Sequence, residues 1–199
     1  MDHSQQMLAF TKFYDTFMRS PEWAAMQRTV EDSPWHRESS VAVHTQMLLD
    51  VLWCDVAKAH TPRGRSLVAV TCLFHDVGKP PAEVIKFKED RGTYRAYHGH
   101  EQLSARLWVD YALRFRDDVA ALGFDTTDVS HVAFMIEHHV PFQLKDPRKR
   151  KALKLAMQQR GVHDEWLSLL WCDQHGRTSD DEEQKLAAFR QWLEDWRTV

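Results

Sequence analysis

His75 and Asp76 stand side by side at the end of a nearly all-apolar run that begins at Leu67. Burying an imidazole and a carboxylate there is costly unless both find partners. A bound metal cation is one partner that serves both at once. The rest of the chain supplies more of the same chemistry: His44 on the preceding helix, His100, the His138-His139 pair, and Asp173 at the end of a second apolar run, Trp166 to Cys172. A lone His-Asp doublet is weak evidence for a metal, since a satisfied helix end would look the same. The surrounding set is what shifts the reading towards a metal site.

Taken in order, the pieces form a series: His44; Phe74-His75-Asp76-Val77-Gly78-Lys79; Gly99-His100-Glu101; Ile136-Glu137-His138-His139-Val140-Pro141; and Cys172-Asp173-Gln174-His175-Gly176-Arg177. The series resembles the HD-domain metal-dependent phosphohydrolases, over about residues 40–178. The stretches around His100 and Asp173 look most like the HD domain attached to bacterial tRNA nucleotidyltransferases. With no nucleotidyltransferase domain among these residues, the HD unit is expected to stand alone. The resemblance implies that His44, His75, Asp76 and Asp173 hold a first metal. In the two-metal version Asp76 bridges, while His100 and His139 bind the second ion. Two alternatives stay open: His138 is the ligand if the doublet is read one residue earlier, and Asp128 could supply the distant carboxylate, as in compact viral nucleotide hydrolases of the superfamily.

Such a site suits phosphoester hydrolysis. A divalent cation lowers the pKa of bound water towards ~7, supplying hydroxide, and draws charge from the phosphoryl oxygens. Mixed imidazole and carboxylate ligation suits Mn, Fe, Co, Ni or Zn better than Ca, with Mg in the wider set. The resemblance makes Asp76, Lys79 and Glu101 the catalytic candidates. Lys79 would contact phosphate, and Glu101 would orient an imidazole or move a proton. His36, Arg37, Lys79 and Arg177 are the substrate-binding candidates. Each has a bland counterpart: a solvated lysine in a Gly-Lys-Pro turn, an exposed first-turn acid, a loop anchor beside a surface arginine. The expected activity is hydrolysis of a nucleotide-type phosphoester or phosphoanhydride by a nucleotidase, cyclic phosphodiesterase or nucleoside triphosphate hydrolase. The alternative is a non-catalytic metal-containing module that binds a nucleotide or a protein.

Positioning these residues falls to helices. Apolar residues recur at three- and four-residue intervals from Gln5 to Arg19, the stripe of an amphipathic helix. Ser20-Pro21 opens a short helix through Ala25, and Ser39 or Ser40 caps one running to about Ala59. His60 to Gly64 reads as a loop and Leu67 to Asp76 as a buried helix, stopped at Gly78-Lys79-Pro80-Pro81. Residues 84–97 alternate as a small hairpin around Glu89-Asp90-Arg91-Gly92, which would be the only sheet. Further helices are expected from His100 to Arg114, Thr127 to His138, Pro147 to Arg160, His163 to Cys172 and Ser179 to Trp196. The fold class expected is one all-α HD-type bundle of seven to nine helices spanning residues 1–199, with one small hairpin.

Composition narrows the rest. With 43% hydrophobic and 28% charged residues the chain suits a globular core rather than disorder, and a net charge of −3 excludes the broad positive field of a dedicated nucleic-acid binder. The one basic run, Arg148-Lys149-Arg150-Lys151 with Lys154, reads first as a solvated helix start and second as a guide for a nucleotide or RNA end. Three cysteines, none in a Cys-x-x-Cys pair, read as buried reduced thiols, and with no basic stretch leading into an apolar one and no apolar span of ~18 residues, neither a signal segment nor a membrane span is expected. A cytoplasmic protein with a small phosphorylated substrate and no membrane partner is expected. Of the other histidines, His3, His60 and His163 read as surface residues and His131 as a satisfied helix residue. His98 and His175 are candidates to line the pocket. Trp35 is a candidate for base stacking.

Overall fold

The computed structural model describes residues 3–31, 36–89 and 92–198. It is all-α with a single small hairpin among the described residues. The elements are α1 His3–Phe17, α2 Pro21–Arg28, α3 Val41–Val51, α4 Pro62–Phe74, α5 Lys79–Ala82, β1 Val84–Lys88, β2 Gly92–Ala96, α6 His100–Arg114, α7 Arg116–Ala121, α8 Thr126–Glu137, α9 Pro147–Arg160, α10 His163–His175 and α11 Glu182–Thr198. Nine of the helices reach eight residues, matching the upper end of the expected range. The hairpin pairs Val84 with Ala96 through Lys88 with Gly92, antiparallel.

Capping decides most starts. The Ser20 hydroxyl accepts from Trp23 N–H ahead of Pro21, and Ser40 accepts from Val43 N–H. Ser39, the other capping candidate, sits instead at φ 77°. Thr61 accepts from Gly64 N–H with Pro62 in the first turn, so α4 begins at Pro62 and not in a loop. Its first turn carries Arg63, Gly64 and Arg65, which show no apolar period. Asp125 and Asp128 form a reciprocal capping box on α8. The helix expected to begin at Ser179 begins at Glu182, just after Asp181 takes a left-handed φ of 56° that no helix continues through. The helix expected to run to Ala59 leaves α geometry after Val51, through a wide turn at Leu52–Val56 and a tight one at Ala57–Ala59. No residue type marks that change.

Helix α4 is the centre of the molecule. Every residue from Ser66 to Phe74 is buried, so it has no polar face to offer water and must be enclosed on all sides. It packs against α3, α8 and α10, with α1 and α6 completing the enclosure. Phe13, Phe17, Phe74, Trp108 and Tyr111 meet edge to face or tilted within it, and the buried apolar residues form one contiguous cluster. Cys72 and Cys172 are buried free thiols as expected, but Cys54 is exposed. No helix among the described residues is long and apolar enough to cross a membrane.

Candidate metal centre

The enclosed helix α4 ends at the site. His75 is its last cap and Asp76 the next residue, both with at most 1% of their surface exposed. His44 lies one turn into α3, His100 opens α6, His139 follows α8, and Asp173 sits in the last turn of α10. Two close approaches hold these elements in place. A Cβ on Gly78 would fall 2.5 Å from His100 O and 2.6 Å from Ser104 N, and one on Gly176 would fall 2.7 Å from Leu48 N. Only glycine lets the chain after Asp76 lie on α6 and the chain after Asp173 lie on α3. Gly78 N–H donates to Ser104 Oγ at 2.8 Å, which fixes the first contact.

Each of the four histidines is held the same way. Nδ1 of His44 meets Gly176 O at 3.0 Å, His75 meets Cys72 O at 2.8 Å, His100 meets Tyr97 O at 2.8 Å, and His139 meets Ile136 O at 2.7 Å. A carbonyl only accepts, so in each ring Nδ1 carries a proton and Nε2 is the atom left to bind a metal. The Nε2 atoms converge. That of His75 is 3.0 Å from Asp76 Oδ2, and that of His44 is 3.1 Å from Asp173 Oδ1 and 3.8 Å from Asp76 Oδ2. Those of His100 and His139 are 3.1 Å and 3.5 Å from Asp76 Oδ1. Asp76 is therefore central, one oxygen turned to each pair of rings.

The donor set fits a metal ion. His44, His75 and Asp76 form one buried cluster, and Asp76, His100 and His139 form a second. His75 Nε2 and Asp76 Oδ1 are buried without a hydrogen-bond partner, an arrangement that is costly when nothing satisfies them. Two donors on one ion at ~2.0–2.1 Å lie roughly 3 Å apart, close to the separations of His75 and His100 from Asp76.

Charge around Asp76 and Asp173 is compensated. Burial raises both carboxyl groups, but His75 and Lys79 outweigh it at Asp76, and Arg177 and then His44 outweigh it at Asp173, so both are held well below the usual range. Burial pushes His44 down, yet Asp173 and Glu38 carry it up to about 9. Lys79 Nζ is buried between Asp76 Oδ2 at 2.8 Å and Glu31 Oε1 at 2.6 Å. The solvated-lysine reading is thereby excluded. Arg177 donates from Nε to Asp173 O at 2.7 Å and pairs with its carboxylate.

Above the cluster opens a cleft of about 1020 Å³. Asp76, His100, His139 and Asp173 lie at its floor, and Lys79, Glu101 and Arg177 reach its wall. His36 and Arg37 also line it, although the Arg37 guanidinium pairs with exposed Asp180 at 2.6 Å. Burial, then Lys79, pushes His36 down to about 4. Glu101 lies 3.6 Å from His100 Nδ1.

Several sequence candidates go elsewhere. His138 turns away: its Nδ1 donates to Phe134 O and its ring lies 4.4 Å from Phe134. The doublet's second member is the one at the site. Asp128 is sequestered by Arg63 at 2.6 Å and by the α8 cap, outside the cleft, which leaves Asp173 as the distant carboxylate. His175 stacks on Trp171 at 4.0 Å, while His98 lines the cleft. His60, expected on the surface, is nearly buried against Ser168, and His163 accepts from Trp196 Nε1. Trp35, the Asp32-Ser33-Pro34 turn, the hairpin tip Asp90-Arg91 and the side chain of His3 lie outside the described residues.

Two acids escaped the sequence reading. Glu31 is buried against Lys79. Glu38 accepts from Thr178 N–H at 2.9 Å and lies 3.4 Å from His36 Nδ1. Glu31 has neither an apolar run nor a nearby histidine to mark it, whereas Glu38 follows His36 by two residues and gathers with His36 and His44 into a further cluster. No family model, curated protein or solved structure matches the chain.

Proposed function

We propose that the protein is a metal-dependent phosphohydrolase of the HD type, acting on a phosphoester or phosphoanhydride of a nucleotide. The observation that carries the reading is the common anchoring of His44, His75, His100 and His139, whose Nδ1–H groups all go to backbone carbonyls while their Nε2 atoms face Asp76 and Asp173. His44, His75, Asp76 and Asp173 would hold one divalent ion, and Asp76, His100 and His139 a second. Mixed nitrogen and oxygen ligation points to Mn, Fe, Co, Ni or Zn. When bound, such ions supply Lewis acidity to the phosphoryl group and acidify water.

The chain's own residues do the positioning. Lys79, held between Glu31 and Asp76, keeps a fixed positive charge at the cleft wall. Arg177 presents a second, tied back to Asp173. Both favour the doubly charged end of a phosphoester and the charge that develops on its oxygens. His36, kept neutral by its surroundings, offers a polar contact without adding charge. Tyr97 O orients the imidazole of His100, and Glu101, 3.6 Å from the same Nδ1, adds a negative charge beside it at the cleft wall.

The test is metal analysis of the purified protein followed by phosphate release from nucleoside mono-, cyclic mono- and triphosphates with several added metals. Hydrolysis of at least one member, lost in the His75→Ala/Asp76→Asn double variant, is expected. Full activity in that variant overturns the reading. Bound metal and nucleotide with no turnover anywhere in the panel replaces it with a binding module.

A further inference from the structure

Glu38 carries a carboxylate with no exposed side-chain surface, and a buried charge of that kind is costly unless donors surround it. Its two oxygens are served differently. Oε1 accepts from Thr178 N–H at 2.9 Å and lies 3.6 Å from His44 Nδ1, whose proton goes to Gly176 O at 3.0 Å. Oε2 faces His36 Nδ1 at 3.4 Å, and both of these atoms are buried and bonded to nothing else. The backbone brings them together. Arg37 N–H donates to Thr178 O at 2.8 Å, and a left-handed φ of 77° at Ser39 bends the chain between Glu38 and the α3 cap at Ser40.

A carboxylate only accepts, so the proton between the two belongs to His36 Nδ1 and the lone pair to Nε2. Burial, then the charge of Lys79, keeps the ring neutral and preserves that lone pair. His36 lines the cleft with Lys79, Asp173 and Arg177, its ring edge-on to that of His44 at 4.7 Å. Lys79 and Arg177 only donate, which suits phosphate oxygens. An acceptor beside them selects for something else, since an ionised phosphate oxygen has no proton to give. His36, Glu38 and His44 also gather closely enough to hold an ion. The His44 Nδ1 proton removes that atom from ligation, however, and leaves two donors, fewer than the three or four a zinc-like ion draws from protein.

We propose that Glu38 is a positioning residue that fixes His36 as the Nδ1–H tautomer, so that His36 Nε2 accepts from a hydroxyl of the substrate close to its phosphate. The inference rests on the phosphohydrolase reading for the phosphate, and it narrows the substrate to a nucleotide whose sugar carries a free hydroxyl near that group. A pocket with such an acceptor discriminates against the analogue that lacks the donor, because the acceptor is then desolvated and unpaired.

Nitrogen-15 NMR of the full chain at neutral pH reads the tautomer directly, with the His36 signals assigned by their loss in His36→Phe. The His36 proton is expected on Nδ1. Glu38→Gln keeps an acceptor for Thr178 N–H and turns an amide N–H towards His36, so in that variant the proton is expected to move to Nε2. A proton on Nε2 in the parent protein, or the same tautomer in Glu38→Gln, overturns the proposal. So does a metal equivalent lost in His36→Phe, which would put an ion where the proton is assigned. Binding and phosphate release are then measured for adenosine 5′- and 3′-monophosphates, each beside the deoxy form that lacks the nearest sugar hydroxyl. The parent protein is expected to favour the hydroxylated member of at least one pair about tenfold in Kd or kcat/KM, and both variants to lower that preference below about twofold. His36→Phe leaves the bond between Glu38 and Thr178 in place, so it carries the comparison if Glu38→Gln fails to fold. Equal handling of both members by the parent protein, or a preference that survives in His36→Phe, overturns the subsite. A preference in Kd with no phosphate released from any nucleotide supports the subsite and overturns the hydrolase, and release with no preference does the reverse.

Discussion

His100 Nε2 and His139 Nε2 lie 3.2 Å apart, each on a ring whose Nδ1–H is already given to a backbone carbonyl. At that distance the two Nε2 atoms either share a proton or face a common cation. Replacing His139 with Gln is therefore expected to remove one metal equivalent per chain and leave the other on His44, His75, Asp76 and Asp173. Plasma mass spectrometry of the dialysed variant measures this. Unchanged stoichiometry refutes the second site.

Metal loading should release a proton. In the metal-free chain His44 is raised to about 9 from 6.5 by its bonds to Asp173 and Glu38, so at neutral pH it is protonated and a metal must displace that proton. Calorimetry at pH 7 in buffers of different ionisation enthalpy is expected to show its release, fading above pH 9. Because the folded value is raised, the same proton stabilises the metal-free fold fully below about pH 6.5, and that contribution is lost as pH rises through about 9. Chemical denaturation of metal-free protein across that window tests the sign.

Lys79→Met leaves Glu31 and Asp76 buried without their shared cation. Breaking a buried pair in this way costs about 3–5 kcal/mol. Glu31→Gln keeps the lysine on Asp76 and should cost less stability, while lowering kcat/KM about tenfold at unchanged metal content. Equal kcat/KM in the Glu31→Gln variant would show that Glu31 does no more than fill space.

Asp128→Ala separates the two carboxylate candidates. It removes the N3 half of the α8 capping box, leaving the Asp125 cap in place, together with the partner of Arg63, so a loss of about 2 kcal/mol is expected in denaturant melts. Metal content and activity should not change. Asp173→Ala should do the reverse at the site, abolishing the first metal.

Gly78→Ala drives a Cβ into the backbone of His100 and Ser104. Neither neighbour is a flexible side chain that can yield, so α6 must move and carry His100 with it. Loss of the second metal together with about 1–3 kcal/mol of stability is expected.

Much of the architecture was legible because it is written in local signals. Caps at Ser20, Ser40 and Asp146, the proline and glycine stops, and the contrast between residues 67–74 and their polar flanks place most helices within a few residues. At the start of α4 the Thr61-Pro62 cap signal was outweighed by Arg63, Gly64 and Arg65, which show no apolar period, and the wide turn at Leu52–Val56 carries no signal. The site was legible in part for a related reason. Residues that chemistry needs at a helix end, His75-Asp76 and Asp173, are conspicuous against apolar neighbours.

By itself the sequence determined which residue types were available and on which elements: an all-α chain with a hairpin, histidines on four elements, and acids at the ends of two apolar helices. Tertiary structure alone decided between His138 and His139, sent Asp128 to Arg63 and Asp173 to His44, and brought Glu31 against Lys79. The reason is physical. Propensity, capping and periodicity act over one or two turns, whereas the direction of an imidazole Nε2 depends on which carbonyl, from a helix more than a hundred residues away in the case of His44 and Gly176, accepts its other proton.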